Sequence, residues 1–263
     1  MSDETTFSRG PARRPAPVVV DPVIQWASGL PTVDRRFYAG WLIEYNRYAD
    51  LDIAMTATEF ETITIKHGSG NRVTYWAIPL GRFFVICDGV QTIAEMKHTP
   101  DRLGIAFGWR TTAEGRPQSQ LRARVFLREL LEVGYFEPLT LTIKSTQTGD
   151  LINALMRQYT VLEYVDHTRH AKGLPMIAPP FYAASIPLGP GVEVARGTTQ
   201  TKEITPPAAQ VPDQLDPDYI KANWIRPSWV STIESLVEPT IRWSVHTSKL
   251  IGQGVDEQPP ADY

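Results

Sequence analysis

Residues 61–78 constrain the fold of this chain more than any other stretch. Glu61-Thr62-Ile63-Thr64-Ile65-Lys66 alternates polar and β-branched side chains, and Arg72-Val73-Thr74-Tyr75-Trp76-Ala77-Ile78 alternates again. Between them, His67-Gly68-Ser69-Gly70-Asn71 has the small and polar composition of a turn. A period of two on both sides of a turn predicts a β-hairpin. Pro79 and Gly81 then punctuate the chain, and Arg82 to Cys87 forms a continuous apolar run closed by Asp88-Gly89, which predicts a third strand. Three strands this close in sequence imply an antiparallel sheet, closed as a small OB-like barrel or stacked as a sandwich.

Helical grammar appears later. Leu151, Ile152, Leu155, Met156, Tyr159 and Leu162 follow the helical period after Thr148-Gly149-Asp150. Asp216-Pro217, Arg226-Pro227 and Glu238-Pro239 each place proline where a first helical residue tolerates it, which predicts helices over 217–224, 227–237 and 239–251. The fold class is therefore α+β, a β-rich core with helical C-terminal additions. With 263 residues, 42% of them hydrophobic, the chain can bury one sizeable core. The expected organisation is an extended N-terminal arm at 1–22, a core domain at 23–195, a Pro- and Thr-rich linker at 196–215, a helical segment at 216–252 and an acidic tail at 253–263.

Charge is distributed unevenly along this plan. The net charge is −3, yet residues 97–128 hold Lys97, Arg102, Arg110, Arg116, Arg122, Arg124 and Arg128 against only Asp101 and Glu114. Residues 203–263 carry the compensating excess of acids. Within the basic stretch, Arg110 to Gln118 is polar and reads as a long exposed loop. Leu121-Arg122-Ala123-Arg124-Val125 alternates, so as a strand it would set Arg122 and Arg124 on one face; as a helix it would spread them.

The residue types that carry catalysis do not assemble at useful spacing. There is no Gly-x-x-x-x-Gly-Lys-Ser/Thr, Gly-x-Gly-x-x-Gly, Gly-x-Ser-x-Gly or His-Glu-x-x-His. His167 and His170 follow Asp166, but Arg169 and Lys172 crowd them with like charge and no further ligand is evident. Asp88 and His98 have no nucleophile beside them, and Asp50 and Asp52 read as a helix end. Cys87, the single cysteine, sits in an apolar run and reads as a small core residue. No enzymatic activity, metal or cofactor is expected. No run approaches the length of a membrane span, and residues 1–20 lack the apolar stretch of a signal peptide, so the expectation is a cytoplasmic, soluble protein.

What remains is positive charge interleaved with aromatic rings on a β-scaffold. Single-stranded nucleic acid is bound by that pairing, because cations follow the backbone while flat rings stack on bases of any sequence. The expected phosphate contacts are Arg110, Arg116, Arg122 and Arg124, with Lys97 and Arg102 near them, and the expected stacking rings are Trp109, Trp76 and Tyr75. The chain end, Asp256-Glu257-Gln258-Pro259-Pro260-Ala261-Asp262-Tyr263, resembles the acidic, aromatic-tipped tails of bacterial and phage single-stranded DNA-binding proteins. That resemblance implies partner recruitment through Asp256, Glu257, Asp262 and Tyr263, for instance of replication or recombination proteins. Arg124-Val125-Phe126-Leu127, Gly134-Tyr135-Phe136-Glu137-Pro138 and Ile186-Pro187-Leu188-Gly189-Pro190 are similar to a family of uncharacterised bacterial, plasmid and phage proteins, which implies no particular activity. The leading expectation is a sequence-tolerant single-stranded DNA-binding protein that self-associates and acts in replication, recombination or repair. The alternative is an assembly subunit of a phage particle or nucleoprotein complex.

Overall fold

The computed structural model describes residues 21–29, 38–67, 70–98, 103–111, 115–196 and 202–254. The expected N-terminal arm up to residue 20, Arg102 and the acidic tail from residue 255 lie outside the described residues. In chain order the first elements are β1 (Val23–Ser28), β2 (Ala39–Glu44), α1 (Ala49–Thr56), β3 (Glu61–Lys66), β4 (Arg72–Ile78) and β5 (Gly81–Val85). Then come α2 (Ile93–His98), β6 (Ile105–Thr111), β7 (Pro117–Leu127), α3 (Arg128–Glu132), β8 (Leu139–Lys144) and α4 (Gln147–Ala171). The last are β9 (Ile186–Pro190), β10 (Val194–Arg196), β11 (Lys202–Ile204), β12 (Pro207–Ala209), α5 (Pro217–Asn223) and α6 (Pro227–Gly252).

The alternating segments do form the hairpin: β3 and β4 pair antiparallel from Glu61↔Ala77 to Lys66↔Arg72. They belong to one ten-stranded sheet whose path runs β12-β9-β5-β7-β8-β1-β2-β4-β3, with β6 also on β7. Among the described residues the path is open at both ends, and β1 runs parallel to β8 while the other described pairs in the sheet are antiparallel. Strands far apart in that order nevertheless touch. The Trp41 indole N–H on β2 donates to the Leu188 carbonyl on β9 at 3.0 Å, and Trp26 on β1 donates to Thr205 O at 3.0 Å. The sheet is therefore curled as a half-barrel, with Trp41 and Phe83 in edge contact inside the curl.

β7 organises one half of the sheet. Along one edge it pairs with β6 through residues 117–123 and with β5 through 125–127; β8 takes the other edge. Both faces of this region are covered, which is why Arg82–Cys87 reads as continuously apolar rather than alternating. Phe83, Val85 and Cys87 join the main core with Leu151, Ile152 and Leu155 of α4. Phe84, Ile86 and Phe126 point the other way, against Ile225, just before α6, and Trp229 and Ile233 at its start. The molecule is thus layered as α4, curled sheet and α6.

Four expectations are corrected. The segment Arg110 to Gln118 is not one long loop, since β6 and β7 extend into it and pair Trp109 with Ser119 and Arg110 with Gln118. Residues 196–215 are not a plain linker: β12 joins the main sheet through β9, and β11 pairs with β10. Asp50 and Asp52 do not end a helix but stand in the first turn of α1. Finally, the helices expected at 227–237 and 239–251 are the single helix α6, with Pro239 inside it. One missing N–H costs one helical bond at Ser235, while Ile233, Thr240, Ser244, Thr247 and Ile251 continue a single buried face across the proline.

Candidate functional site

β7 settles the orientation of two expected phosphate ligands. Leu121, Ala123 and Val125 enter the main core, so Gln120, Arg122 and Arg124 share the opposite face, as the alternation predicts for a strand. That face lies under α6. Gly108 makes the close approach possible: a Cβ there would stand 2.8 Å from Ile251 Cγ2 and 3.2 Å from the Ser248 carbonyl. The Phe107 N–H also donates to Ser248 Oγ at 3.0 Å, so the helix satisfies a donor on β6.

Beneath the helix the arginines have protein partners. Arg122 is 8% exposed, and the Gln120 amide, with its oxygen turned toward it, accepts from Nε at 3.0 Å and Nη2 at 3.1 Å. Arg124 donates from Nε to Asp21 Oδ2 at 2.6 Å and from Nη2 to Oδ1 at 3.0 Å, and its guanidinium lies 5.4 Å from the Trp243 ring. Burial pushes the Asp21 carboxyl above its ordinary value, while the charge and hydrogen bonds of Arg124 draw it back.

The expected stacking rings also part company. Tyr75 and Trp76 are buried, so neither offers a ring face to solvent. The Tyr75 hydroxyl pairs with His67 Nε2 at 2.8 Å, and Trp76 Nε1 donates to Asp52 Oδ1 at 2.6 Å. Trp109 is different. It is 43% exposed near the β6 end, in edge contact with Phe107, beside Arg110, whose Nε donates to Gln118 Oε1 at 3.0 Å. Arg116, just before β7, is exposed at the same end of the hairpin. Lys97 falls on α2, but its side chain lies outside the described residues.

A second concentration of charge forms where sequence reading did not place one. The last turns of α4, the start of α5, the connector into α6 and the first residue of α3 enclose a pocket of about 590 Å³. Arg128, Arg169, Lys172, Lys221 and Arg226 line it, and no carboxylate does among the described residues. Tyr164 and Trp224 supply aromatic walls, with Ile177, Ile220 and Ile225 as apolar surface. Lys172, Lys221 and Arg226 are exposed, whereas Arg128 is buried.

Local bonds fix the arginines. Arg169 Nε donates to the Pro175 carbonyl at 3.0 Å, and Arg128 Nη1 to the Trp224 carbonyl at 3.2 Å. Glu132 Oε1 accepts from Arg128 Nε at 3.0 Å and from Arg226 Nη2 at 3.1 Å, and both guanidiniums stack on Trp229, at 5.7 and 4.7 Å. Burial, with added repulsion from Arg82 and Arg226, lowers the Arg128 guanidinium below its ordinary value despite Glu132. A guanidinium carries five N–H donors, so these bonds leave others for a ligand.

The two basic regions are distinct in space. Arg116 and Arg128 flank β7, and at about 3.3 Å per residue they stand roughly 35–40 Å apart. α6 spans the same interval, from Arg226 at the pocket to Ile251 against Gly108. Of the pocket residues, Arg128 belonged to the basic stretch, and Arg169 with Lys172 was noticeable as like charge around His167 and His170. Lys221 and Arg226 sit in an acidic segment, and no sequence signal joins them to the rest. Comparison with protein-family models, curated proteins and solved structures finds no match to this chain.

Proposed function

We propose that this protein binds single-stranded nucleic acid in a sequence-tolerant way, with the pocket between α4, α5 and α6 as its anchor. The observation that carries the reading is the convergence of five cations and two aromatic walls, Tyr164 and Trp224, on one cavity without a lining carboxylate. Cations there neutralise phosphates, and ring faces take bases irrespective of identity. The start of α6 at the rim adds the positive end of a helix dipole. Trp109, Arg110 and Arg116 form a separate outlying contact in this reading, while Arg122 and Arg124 serve the packing of α6.

Fluorescence anisotropy of a labelled oligothymidylate across a salt series tests it. Binding at low salt that weakens steeply with added salt, and that is similar for other sequences of the same length, is the expected result. Absence of binding at low salt contradicts the reading, as does binding that Tyr164→Ala and Trp224→Ala leave unchanged in folded protein.

A further inference from the structure

The pocket has more positive charge than a passing strand would use. An internal phosphodiester brings one negative charge, whereas five cationic side chains line a cavity of about 590 Å³, within the size range of a small-ligand site. Among the described residues, Glu132 is the carboxylate in contact with this set, and it is shared among Arg82, Arg128 and Arg226. One acid cannot balance the group, and Arg128 sits buried within it.

The geometry around Glu132 shows how the site treats an anion. Arg128 Nε and Arg226 Nη2 converge on the same carboxylate oxygen, at 3.0 and 3.1 Å. Two guanidiniums held by Trp229 and aimed at one anionic point are preorganised for oxyanions. Arg169, Lys172 and Lys221 bring further donors from α4, the residues after it, and α5. A phosphate monoester matches that supply better than a diester, because it carries about −1.5 to −2 charge at neutral pH and three strong acceptor oxygens.

We propose that the pocket receives a terminal phosphate monoester, at a strand end or on a free nucleotide, in preference to an internal phosphodiester. The inference rests on the reading of this pocket as the nucleic-acid site and names the part of the nucleic acid that enters it. The phosphate is held by Lys172, Lys221, Arg169 and Arg226, and its nucleoside lies against Tyr164 or Trp224.

The test is competition against a fluorescein-labelled oligothymidylate by unlabelled oligonucleotides of one sequence carrying a 5′-phosphate, a 3′-phosphate or neither, and by thymidine monophosphate. The full chain is used, beside the Lys172→Gln/Lys221→Gln double variant, whose exposed positions leave folding intact. The expected result is that one phosphorylated end binds about tenfold tighter than the unphosphorylated strand, a difference of about 1.4 kcal/mol, and that the preference shrinks in the double variant. Displacement by thymidine monophosphate at concentrations similar to those of the phosphorylated strand supports the proposal with a free nucleotide as the source. Strands that all bind equally well overturn this inference and leave the nucleic-acid reading standing. Failure of every oligonucleotide to bind at low salt overturns both.

Discussion

Arg124 and Asp21 form a two-bonded ion pair across β7 and the residue pair preceding β1, with Nε–Oδ2 at 2.6 Å and Nη2–Oδ1 at 3.0 Å. Thr140 Oγ1 donates to the same carboxylate at 3.4 Å, so the pair also ties in β8. The Arg124 and Asp21 side chains are only 18% and 8% exposed. Removing the arginine strands a buried carboxylate. Arg124→Ala is expected to lower unfolding free energy by about 2–4 kcal/mol in urea titration. The folded variant is expected to keep its oligonucleotide affinity within about twofold, because the pair supplies no phosphate contact in this account. A large loss of affinity in folded Arg124→Ala would return this residue to the binding surface.

Glu132 is the acid that moderates the pocket. Glu132→Gln removes the negative charge shared by Arg82, Arg128 and Arg226 while keeping one acceptor oxygen, and buried Arg128 bears most of the consequence. The expected outcome is a loss of about 1–3 kcal/mol in stability, with oligonucleotide affinity at low salt raised several-fold. Unchanged binding by the folded variant would show that the cluster does not act on the ligand.

Gly108 sets the seat of α6. A methyl group there meets Ile251 Cγ2 at 2.8 Å and the Ser248 carbonyl at 3.2 Å, and the backbone carbonyl cannot swing away as a side chain could. Gly108→Ala is expected to destabilise the protein by about 1–3 kcal/mol through overpacking. Amide hydrogen exchange should show the loss concentrated in the last turns of α6 and at Phe107.

Glu95 gives a pH signature on α2. Its carboxylate accepts from Thr92 N–H at 2.7 Å and Thr92 Oγ1 at 2.8 Å, which holds its pKa below the ordinary glutamate value. A lowered folded pKa means that the contribution is present above the unfolded value and is lost as pH falls through the folded one. Carboxyl NMR titration should find Glu95 titrating below other exposed glutamates, and Thr92→Ala, which removes the hydroxyl but keeps the backbone N–H, should raise it only part of the way back.

The sequence disclosed its local rules more readily than its assembly. The β3–β4 hairpin and the helical face of α4 were legible because alternation and the 3.6-residue period act over a few residues. The shared face of Arg122 and Arg124 was one of two readings that the sequence left open, strand or helix, and β7 realises the strand. That α6 covers this face was not legible, since it depends on a glycine at 108 meeting an isoleucine at 251. Pro239 was a local signal that tertiary packing overrode: the buried face from Ile233 to Ile251 holds the helix together across it. Trp76 and Tyr75 lay in alternating strands where period alone places side chains on one face or the other, and both faces proved covered. The pocket was hidden for a further reason. Its cations come from α3, α4, the residue after α4, α5 and the connector before α6, and only the fold brings them together.

The salt dependence of oligonucleotide binding, compared between the native chain and Lys172→Gln/Lys221→Gln, tests the central claim most directly. Each phosphate contact contributes about −0.7 to the slope of log K against log salt for a single strand. If both lysines neutralise phosphates, the double variant binds more weakly at low salt for every sequence, and its slope is shallower by about 1.4. An unchanged affinity and slope in the folded double variant would contradict the claim that this pocket anchors the nucleic acid.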